Sequence, residues 1–430
     1  MVATKWNAFR YIGCLLACVH GKTVVYKHGW DTVADVMGMH GKFRSADTLP
    51  SDSSVAFAAK NYKMITTGCG CPKKSNMTLE DATLSVASRI KSINPSVIVG
   101  MYWRTDMALE IAQCSNGTAE LKAHGNDWFL RDDNGTLIKE HGHTYMLDYE
   151  NNDLKEFFSR VLINVVNQTL PSSVPIIDYI YLDGPGWNGA AGINAKRSAK
   201  FANDKLQWMQ DLQRQFDLIP GGRNVILNGV DNAVTAHSYS STGVAGVMLD
   251  HWSILQFLLR GAAFGCNSKN GTITNCGKFN VTAMDQLFDL ARSQTLSNLT
   301  LHIKGWVGPV IKQQGHYPPY LHTPSTPVQQ QQVAGERFNS ELALFLLVAE
   351  EYMYWIYSWF WGFDSYVPGE PDSQVPRGFF PQTKCKLGAP LASPKRVENT
   401  WTYKREFEFA SVFVDLNNRT ASRVDFKGRC

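Results

Sequence analysis

The sequence predicts an α/β protein: a (β/α)8 TIM barrel carrying a small C-terminal antiparallel β appendage. Three observations lead to it. Eight short apolar runs alternate with amphipathic stretches between about residues 22 and 379. Two of those runs end on a carboxylate followed at once by turn or aromatic residues, Tyr181-Leu182-Asp183-Gly184 and Met248-Leu249-Asp250-His251-Trp252. From about residue 380 onward the period changes to that of short β runs.

Strands are expected at residues 23–26, 64–67, 96–103, 179–183, 224–228, 246–250, 300–305 and 353–359. Helical periodicity falls between them at 53–62, 79–92 (after a Thr78/Asp81 start signal), 154–166, 195–216, 254–263, 283–296 and 338–349. Strict alternation of strand and helix argues for a parallel sheet, and eight repeats argue for closure into a barrel over an open doubly wound sheet. After the third strand an insertion over 104–150 shows hairpin grammar around Asp133-Asn134-Gly135. The run Gln329 to Gln332, beside Pro324 and Pro327, reads as a surface loop. Residues 380–430 read as short strands at 401–409 and 411–416 with a turn at Asn417-Asn418.

Composition limits the function. Hydrophobic residues at 44% and charged residues at 19% describe a globular chain, not a disordered one. A net charge of +4, small and dispersed, with no basic run interleaved with aromatics, gives nucleic acid no footprint. Residues 1–21 read as a secretory signal peptide, with Lys5 and Arg10 ahead of a short apolar stretch and permissive residues after it. That stretch is too short to span a bilayer, and the longest apolar candidate, 342–361, is broken by Glu350 and Glu351, so no membrane span is expected.

Secretion, to the extracellular space or cell surface, also fits the Asn-x-Ser/Thr sequons at Asn76, Asn116, Asn134, Asn167, Asn270, Asn280, Asn298 and Asn418. In an oxidising compartment Cys266 with Cys276 would clip a turn-rich loop. Cys385 with Cys430 would tie down the carboxyl terminus, and an odd cysteine is left among Cys69, Cys71 and Cys114. No CxxC pairs occur, and His141-Gly142-His143 lacks a carboxylate triad, so neither a metal nor any other cofactor is expected.

Barrel enzymes draw catalytic groups from the C-terminal ends of their strands. Read in order, those ends carry Lys27, His28, Trp30 and Asp31 after the first strand, and Tyr102, Trp103, Arg104 and Asp106 after the third. Asp183 and Trp187 follow the fourth, Asn228 the fifth, Asp250, His251 and Trp252 the sixth, and Lys304 and Trp306 the seventh. A ring of tryptophans around carboxylates suits sugars, whose CH faces pack on aromatic rings while their hydroxyls need Asp, Asn, His, Lys and Arg partners. The substrate-binding candidates are therefore Lys27, Trp30, Asp31, Trp103, Arg104, Trp187, Asn228, His251, Trp252, Lys304 and Trp306.

Asp183 and Asp250 form a glycosidase-type pair, one carboxyl ionised to attack or stabilise an oxocarbenium-like centre and the other holding a proton for the leaving oxygen. Asp183, expected beside Lys304 or Arg104, takes the ionised role; Asp250, beside Trp252, takes the acid/base role. Plainer readings stand next to these: Asp183 as a turn former before Gly-Pro-Gly, and Asp250 as the N-cap of a helix beginning near Ser253.

With these residues placed, the chain resembles the glycoside-hydrolase-like barrels called hypothetical glycosyl hydrolase family fifteen, distant relatives of the α-galactosidase superfamily. The resemblance rests on Tyr181-Leu-Asp-Gly184, on Gly246-Val-Met-Leu-Asp-His-Trp252, on the stretch from Leu342 to Glu350 leading into an aromatic eighth strand, and on the tail segments from Leu387 to Leu391 and from Tyr403 to Phe407. It implies a nucleophile after strand four and an acid/base after strand six, which map onto Asp183 and Asp250, and it leans towards an α-linked sugar. The expected function is a secreted O-glycosyl hydrolase acting on an oligo- or polysaccharide. The alternative is a non-catalytic, heavily N-glycosylated structural or carbohydrate-binding glycoprotein of a cell surface, wall or extracellular filament.

Overall fold

Runs such as Ile98 to Arg104 and Tyr179 to Asp183 are apolar at nearly every position, not at alternate ones, so both faces must be buried, and only a parallel sheet covered by helices does that. The computed structural model describes residues 24–41, 49–68, 77–106, 108, 114–115, 118–140, 144–184, 192–228, 243–249, 267–269, 272–274, 299–305, 327–357, 379–416, 421–428 and 430. In chain order these residues form β1 (Val36–Gly41), α1 (Asp52–Asn61), β2 (Met64–Thr67), α2 (Leu79–Ile93) and β3 (Ile98–Arg104). Next come α3 (Thr118–Trp128), the small pair β4 (Lys139–Glu140) and β5 (Thr144–Tyr145), α4 (Asn152–Val166), β6 (Tyr179–Asp183), α5 (Ala195–Asp217), β7 (Asn224–Leu227) and β8 (Gly246–Leu249). The hairpin β9 (Asn267–Lys269) and β10 (Thr272–Thr274) precedes β11 (Thr300–Gly305), α6 (Pro327–Val348) and β12 (Met353–Tyr357). The chain ends in β13 (Lys395–Arg396), β14 (Thr402–Glu406), β15 (Ala410–Asp415) and β16 (Arg423–Phe426).

Eight strands lie in the order β1-β2-β3-β6-β7-β8-β11-β12, all parallel. The ring closes where the Trp355 N–H donates to the Ala34 carbonyl at 2.8 Å and Asp35 pairs with Trp355. Side chains then divide by strand alternation. Val36, Met64, Tyr102, Tyr179, Tyr181, Ile226, Met248, Tyr354 and Ile356 fill the lumen. Trp103, Ile180, Leu182, Val225, Leu227, Leu301, Ile303 and Trp355 face the helices. The helices are started by side-chain caps: Ser51 for α1, Thr78 for α2, Asn151 for α4 and Asn194 for α5 each accept a backbone N–H of the first turn.

The first strand is not where the sequence predicts it. Residues 24–26 lie beneath the barrel. The Tyr26 N–H donates to Thr300 Oγ1 (3.0 Å) and its hydroxyl to the Asp178 carbonyl (2.7 Å), and Asn224 Nδ2 donates to the Val24 carbonyl (2.5 Å). These partners open strands β6, β7 and β11, so the apolar segment plugs the N-terminal end of the barrel, while the glycine-containing run 36–41 takes the strand position. Pairing partners, not β-propensity, decide between two such runs. A second difference concerns Gln329 to Gln332, which lie within α6 and not in a loop. Pro327 opens that helix at the one place proline is tolerated, and glutamine is a good helix former.

Behind β3 the chain makes α3 and an antiparallel excursion in which Phe129 pairs with Leu147 and Arg131 with Leu137 about a turn at Asp133-Asn134-Gly135. The C-terminal strands form one antiparallel sheet, β13-β14-β15-β16, packed on α6. Arg405 anchors it: the buried guanidinium donates to the carbonyls of Leu346, Leu347 and Ala349 (3.1, 3.3 and 2.7 Å) and to Glu350 (3.2 Å), capping the end of α6. The disulfide Cys385–Cys430 ties the appendage to itself. Cys114 is also disulfide-bonded. The expected signal peptide, Cys69, Cys71, Cys266 and Cys276, and the expected helices at 254–263 and 283–296 lie outside the described residues. Among the described residues no helix is long and apolar enough to cross a membrane.

Candidate active site

Alternation along β6 puts Tyr179 and Tyr181 in the lumen and Ile180 and Leu182 against the helices, so Asp183 is the last lumen-facing position of the strand, half-buried at its C-terminal end. Its two oxygens are differently occupied. Oδ1 accepts from Asn228 Nδ2 at 2.5 Å and from the Gly184 N–H at 2.9 Å, whereas Oδ2 accepts from the Tyr102 hydroxyl at 2.5 Å. Asn228 is the first residue past β7, held by its own N–H on the Leu182 carbonyl at 2.9 Å. Tyr102 pairs in register with Tyr181, their rings stacked at 5.9 Å.

Arg104 pairs with Asp183 in the β3–β6 ladder and carries a second carboxylate into the mouth. Its Nε donates to Asp106 Oδ1 at 2.7 Å and its Nη2 to Oδ2 at 3.2 Å, a two-point fork. Burial alone would lower the pKa of this guanidinium, but the hydrogen bond and charge of Asp106, with Tyr102 and Asp183 beyond it, more than reverse that and keep it cationic. Asp106 in turn lies against the backbone after Asp183: a Cβ at Gly184 would come within 2.5 Å of Asp106 Cγ, and Gly184 has φ +71°. Glycine is required there on both counts.

The turn itself is held from beneath. Thr105 donates to the Asp183 carbonyl through its N–H (2.9 Å) and its hydroxyl (2.7 Å), and Lys205, buried with its ammonium 5.2 Å from the Tyr149 ring, donates to the Gly184 carbonyl. The excursion after β3 is pinned alongside, with Asp133 accepting from Asn194 (2.8 Å) and Arg197 bonded to Glu150 (2.8 Å). Below the mouth, the lumen is a stack of tyrosines around His302, which is fully buried, touches Tyr179 and Tyr354 edge-on, and has no hydrogen-bond partner on either ring nitrogen. Burial pushes its pKa down to about 3, so the ring is neutral.

Of the residues expected at the site, the structure brings Asp183, Arg104 and Asn228 together. The expected cation beside Asp183 is differently disposed: the Arg104 fork is spent on Asp106, and the donors on Asp183 are a phenol, an amide and a backbone N–H. Lys27, Trp30 and Asp31 are corrected, because they belong to the opposite face. Lys27 approaches Glu351 at 3.8 Å ahead of β12, Asp31 pairs with Lys63 ahead of β2, and Trp30 packs on Phe407 of the appendage. That follows from the displaced first strand. Trp103 is corrected as well: fully buried, it faces outward and meets Phe158 of α4 edge-on at 5.7 Å. Asp250, Trp187, His251, Trp252 and Trp306 lie outside the described residues, and Lys304 is described for its backbone pairing with Ile356.

Tyr102 and Asp106 were visible at the third strand's end but not distinguished from their neighbours. The signal that separates them is parity: once Arg104 is opposite Asp183, positions 102 and 104 share its face and Trp103 cannot. Among the described residues no cluster of three or more His, Cys, Asp or Glu side chains is arranged to hold a metal ion.

No family model matches the sequence, and neither does any curated protein. Solved structures with similar folds exist at low identity. The maltogenic α-amylase AmyB of Thermotoga neapolitana is 12% identical with a TM-score of 0.43, over 91% of this chain and 85% of its own. An Anoxybacillus α-amylase is 10% identical with a TM-score of 0.44, over 94% and 95%. The GH36 α-galactosidase AgaA of Geobacillus stearothermophilus, in complex with raffinose, is 11% identical with a TM-score of 0.38, over 84% of this chain and 44% of its own. The fold is thus similar to those of glycoside-hydrolase barrels, at a distance that leaves the site to be read from its own residues.

Proposed function

We propose that the chain is a secreted glycoside hydrolase that cleaves an O-glycosidic bond, leaning to an α-linked sugar, with Asp183 as nucleophile and Asp250 as acid/base. The observation that supports it most is the occupancy of the Asp183 carboxylate at the strand end. Oδ1 accepts two hydrogen bonds and Oδ2 one, so Oδ2 keeps the lone pair that attack on an anomeric carbon requires. Donors from β3, β7 and the Gly184 turn fix the plane of the carboxylate, as a nucleophile that must meet carbon along one line needs. The Arg104–Asp106 pair beside it offers donors and acceptors to the hydroxyls of a bound sugar.

The role of Asp250 and membership of the family-fifteen group rest on the sequence resemblance. Secretion is supported by the exposed sequon residues Asn134, on a turn, and Asn167, at the end of α4, and by the disulfides. Asn76, Asn116, Asn270, Asn280, Asn298 and Asn418 lie outside the described residues.

The test is Asp183→Asn, assayed for sugar release from a panel of α- and β-linked glycans in isotopically labelled water. Loss of release with solvent oxygen in the wild-type product supports hydrolysis at Asp183. Undiminished release by the variant removes the assignment, and a wild type that binds glycans but releases nothing makes the barrel a carbohydrate-binding scaffold.

A further inference from the structure

The net charge of +4 is not dispersed. Residues 379–430 hold ten Lys or Arg against five Asp or Glu, a surplus of +5, which leaves the remaining 378 residues at −1. Much of that surplus stands on one surface. Lys395 pairs with Lys404, Lys404 with Phe413, and Phe413 with Arg423, so a single row crosses β13, β14, β15 and β16 with one residue per strand. The intervening positions Tyr403, Arg405, Val412, Val414 and Val424 are buried towards α6, which puts the row on the outer face.

Along the row the three cations are exposed, and the Arg423 guanidinium lies over the Phe413 ring at 4.8 Å. The nearest acids are engaged: Glu406 with Lys427 (3.0 Å) and Ser411 (2.6 Å), and Asp425 with Arg423 (3.0 Å). Among the described residues neither Lys395 nor Lys404 has a carboxylate within ion-pair distance.

We infer that this sheet face binds an anionic polysaccharide, a chain of carboxylated or sulfated sugars lying across the strands. Neighbouring strands are about 4.8 Å apart, a step comparable to that of successive sugars in an extended chain, so one acidic sugar can meet each cation in turn. Phe413 gives the middle of the row an apolar ring for a sugar's CH face. Duplex nucleic acid presents a charge every ~1.7 Å of its axis, far denser than the row can match. The inference goes beyond the catalytic proposal and does not depend on it, because it concerns binding on the appendage and not turnover at the mouth.

The experiment measures retention of the full chain on an immobilised polyuronate and an immobilised sulfated glycan, with a neutral glucan, duplex DNA and anionic phospholipid vesicles as comparison arms. The row variant carries Lys395→Thr, Lys404→Thr and Arg423→Thr. A charge-matched control carries Lys60→Thr, Lys122→Thr and Lys196→Thr, all exposed elsewhere. Thermal unfolding of each verifies the fold. The expected result is salt-sensitive retention of the wild type and control on the anionic glycans, and roughly tenfold weaker binding by the row variant, from the loss of three exposed ion pairs. Equal weakening in both variants, no retention of the wild type at physiological ionic strength, or stronger row-dependent binding to DNA or vesicles than to glycan would overturn it.

Discussion

The Tyr102 hydroxyl and Asp183 Oδ2 lie 2.5 Å apart, one strand over and two residues offset in the β3–β6 ladder. This relationship converts a strand-end aspartate, a common turn former, into an oriented group at the mouth of a barrel. A carboxylate serving only its own turn would be satisfied by Gly184; this one is also gripped by side chains from the strands on either side.

Tyr102→Phe removes one charge-assisted donor, worth about 1.5–3 kcal/mol. On whichever glycan the wild type hydrolyses, kcat/KM is expected to fall roughly 10- to 100-fold, mostly through kcat, because the substrate contacts stay. Asn228→Ala should behave alike. A change confined to KM in either variant would show that the donors do not orient the reacting carboxylate.

Gly184→Ala places a methyl where Asp106 sits and asks alanine to hold φ +71°. The cost is expected at about 1–3 kcal/mol from the backbone alone, with displacement of the Asp106–Arg104 fork. Urea unfolding measures the first, and a crystal structure of the variant the second. An unchanged midpoint would mean that the turn is softer than its geometry implies.

His302 sets an acid limit on stability. Its folded-state pKa, about 3, lies below the ordinary 6.5 because burial disfavours the imidazolium. Protons therefore bind the unfolded chain more readily, and the stability present above about pH 6.5 is lost as pH falls towards 3. At pH 4.5 the loss should reach about 2–3 kcal/mol. Denaturant unfolding at pH 7 and 4.5 should show that share of the decline disappearing in His302→Leu, whatever the variant's stability at neutral pH.

Lys91 and Asp178 form an ion pair of 2.6 Å beneath the barrel, their side chains only 4% and 15% exposed. Lys91→Met leaves the carboxylate buried without its cation and should cost about 3–5 kcal/mol. Adding Asp178→Asn should restore part of that, because the amide no longer buries a charge. If the double variant is as unstable as the single one, packing of the lysine stem accounts for the loss and not the charge.

Much of the barrel was legible in the chain. The runs at 64–67, 179–183 and 300–305 coincide with strands, and Thr78 starts its helix as expected. Those features are local: period, caps and turn residues act within a few positions. The first strand was not legible, because 23–26 and 36–41 differ in the partners they meet and not in any local quality that favours the second. The site was legible to the same extent. Asp183, Arg104 and Asn228 sit where strand ends put them, while Lys27, Trp30 and Asp31 inherited the error in the first strand.

By itself, then, the sequence determined the order of strands and helices, the residue types at each strand end and the candidate chemistry of Asp183. Tertiary structure decided which of those side chains meet. Whether Trp103 or its two neighbours face the lumen, whether Arg104 serves Asp183 or Asp106, and why residue 184 must be glycine all depend on the β3–β6 register and on closure between β1 and β12. Both join residues far apart in the chain, and a shift of one position in either would turn every side chain of the strand to its other face.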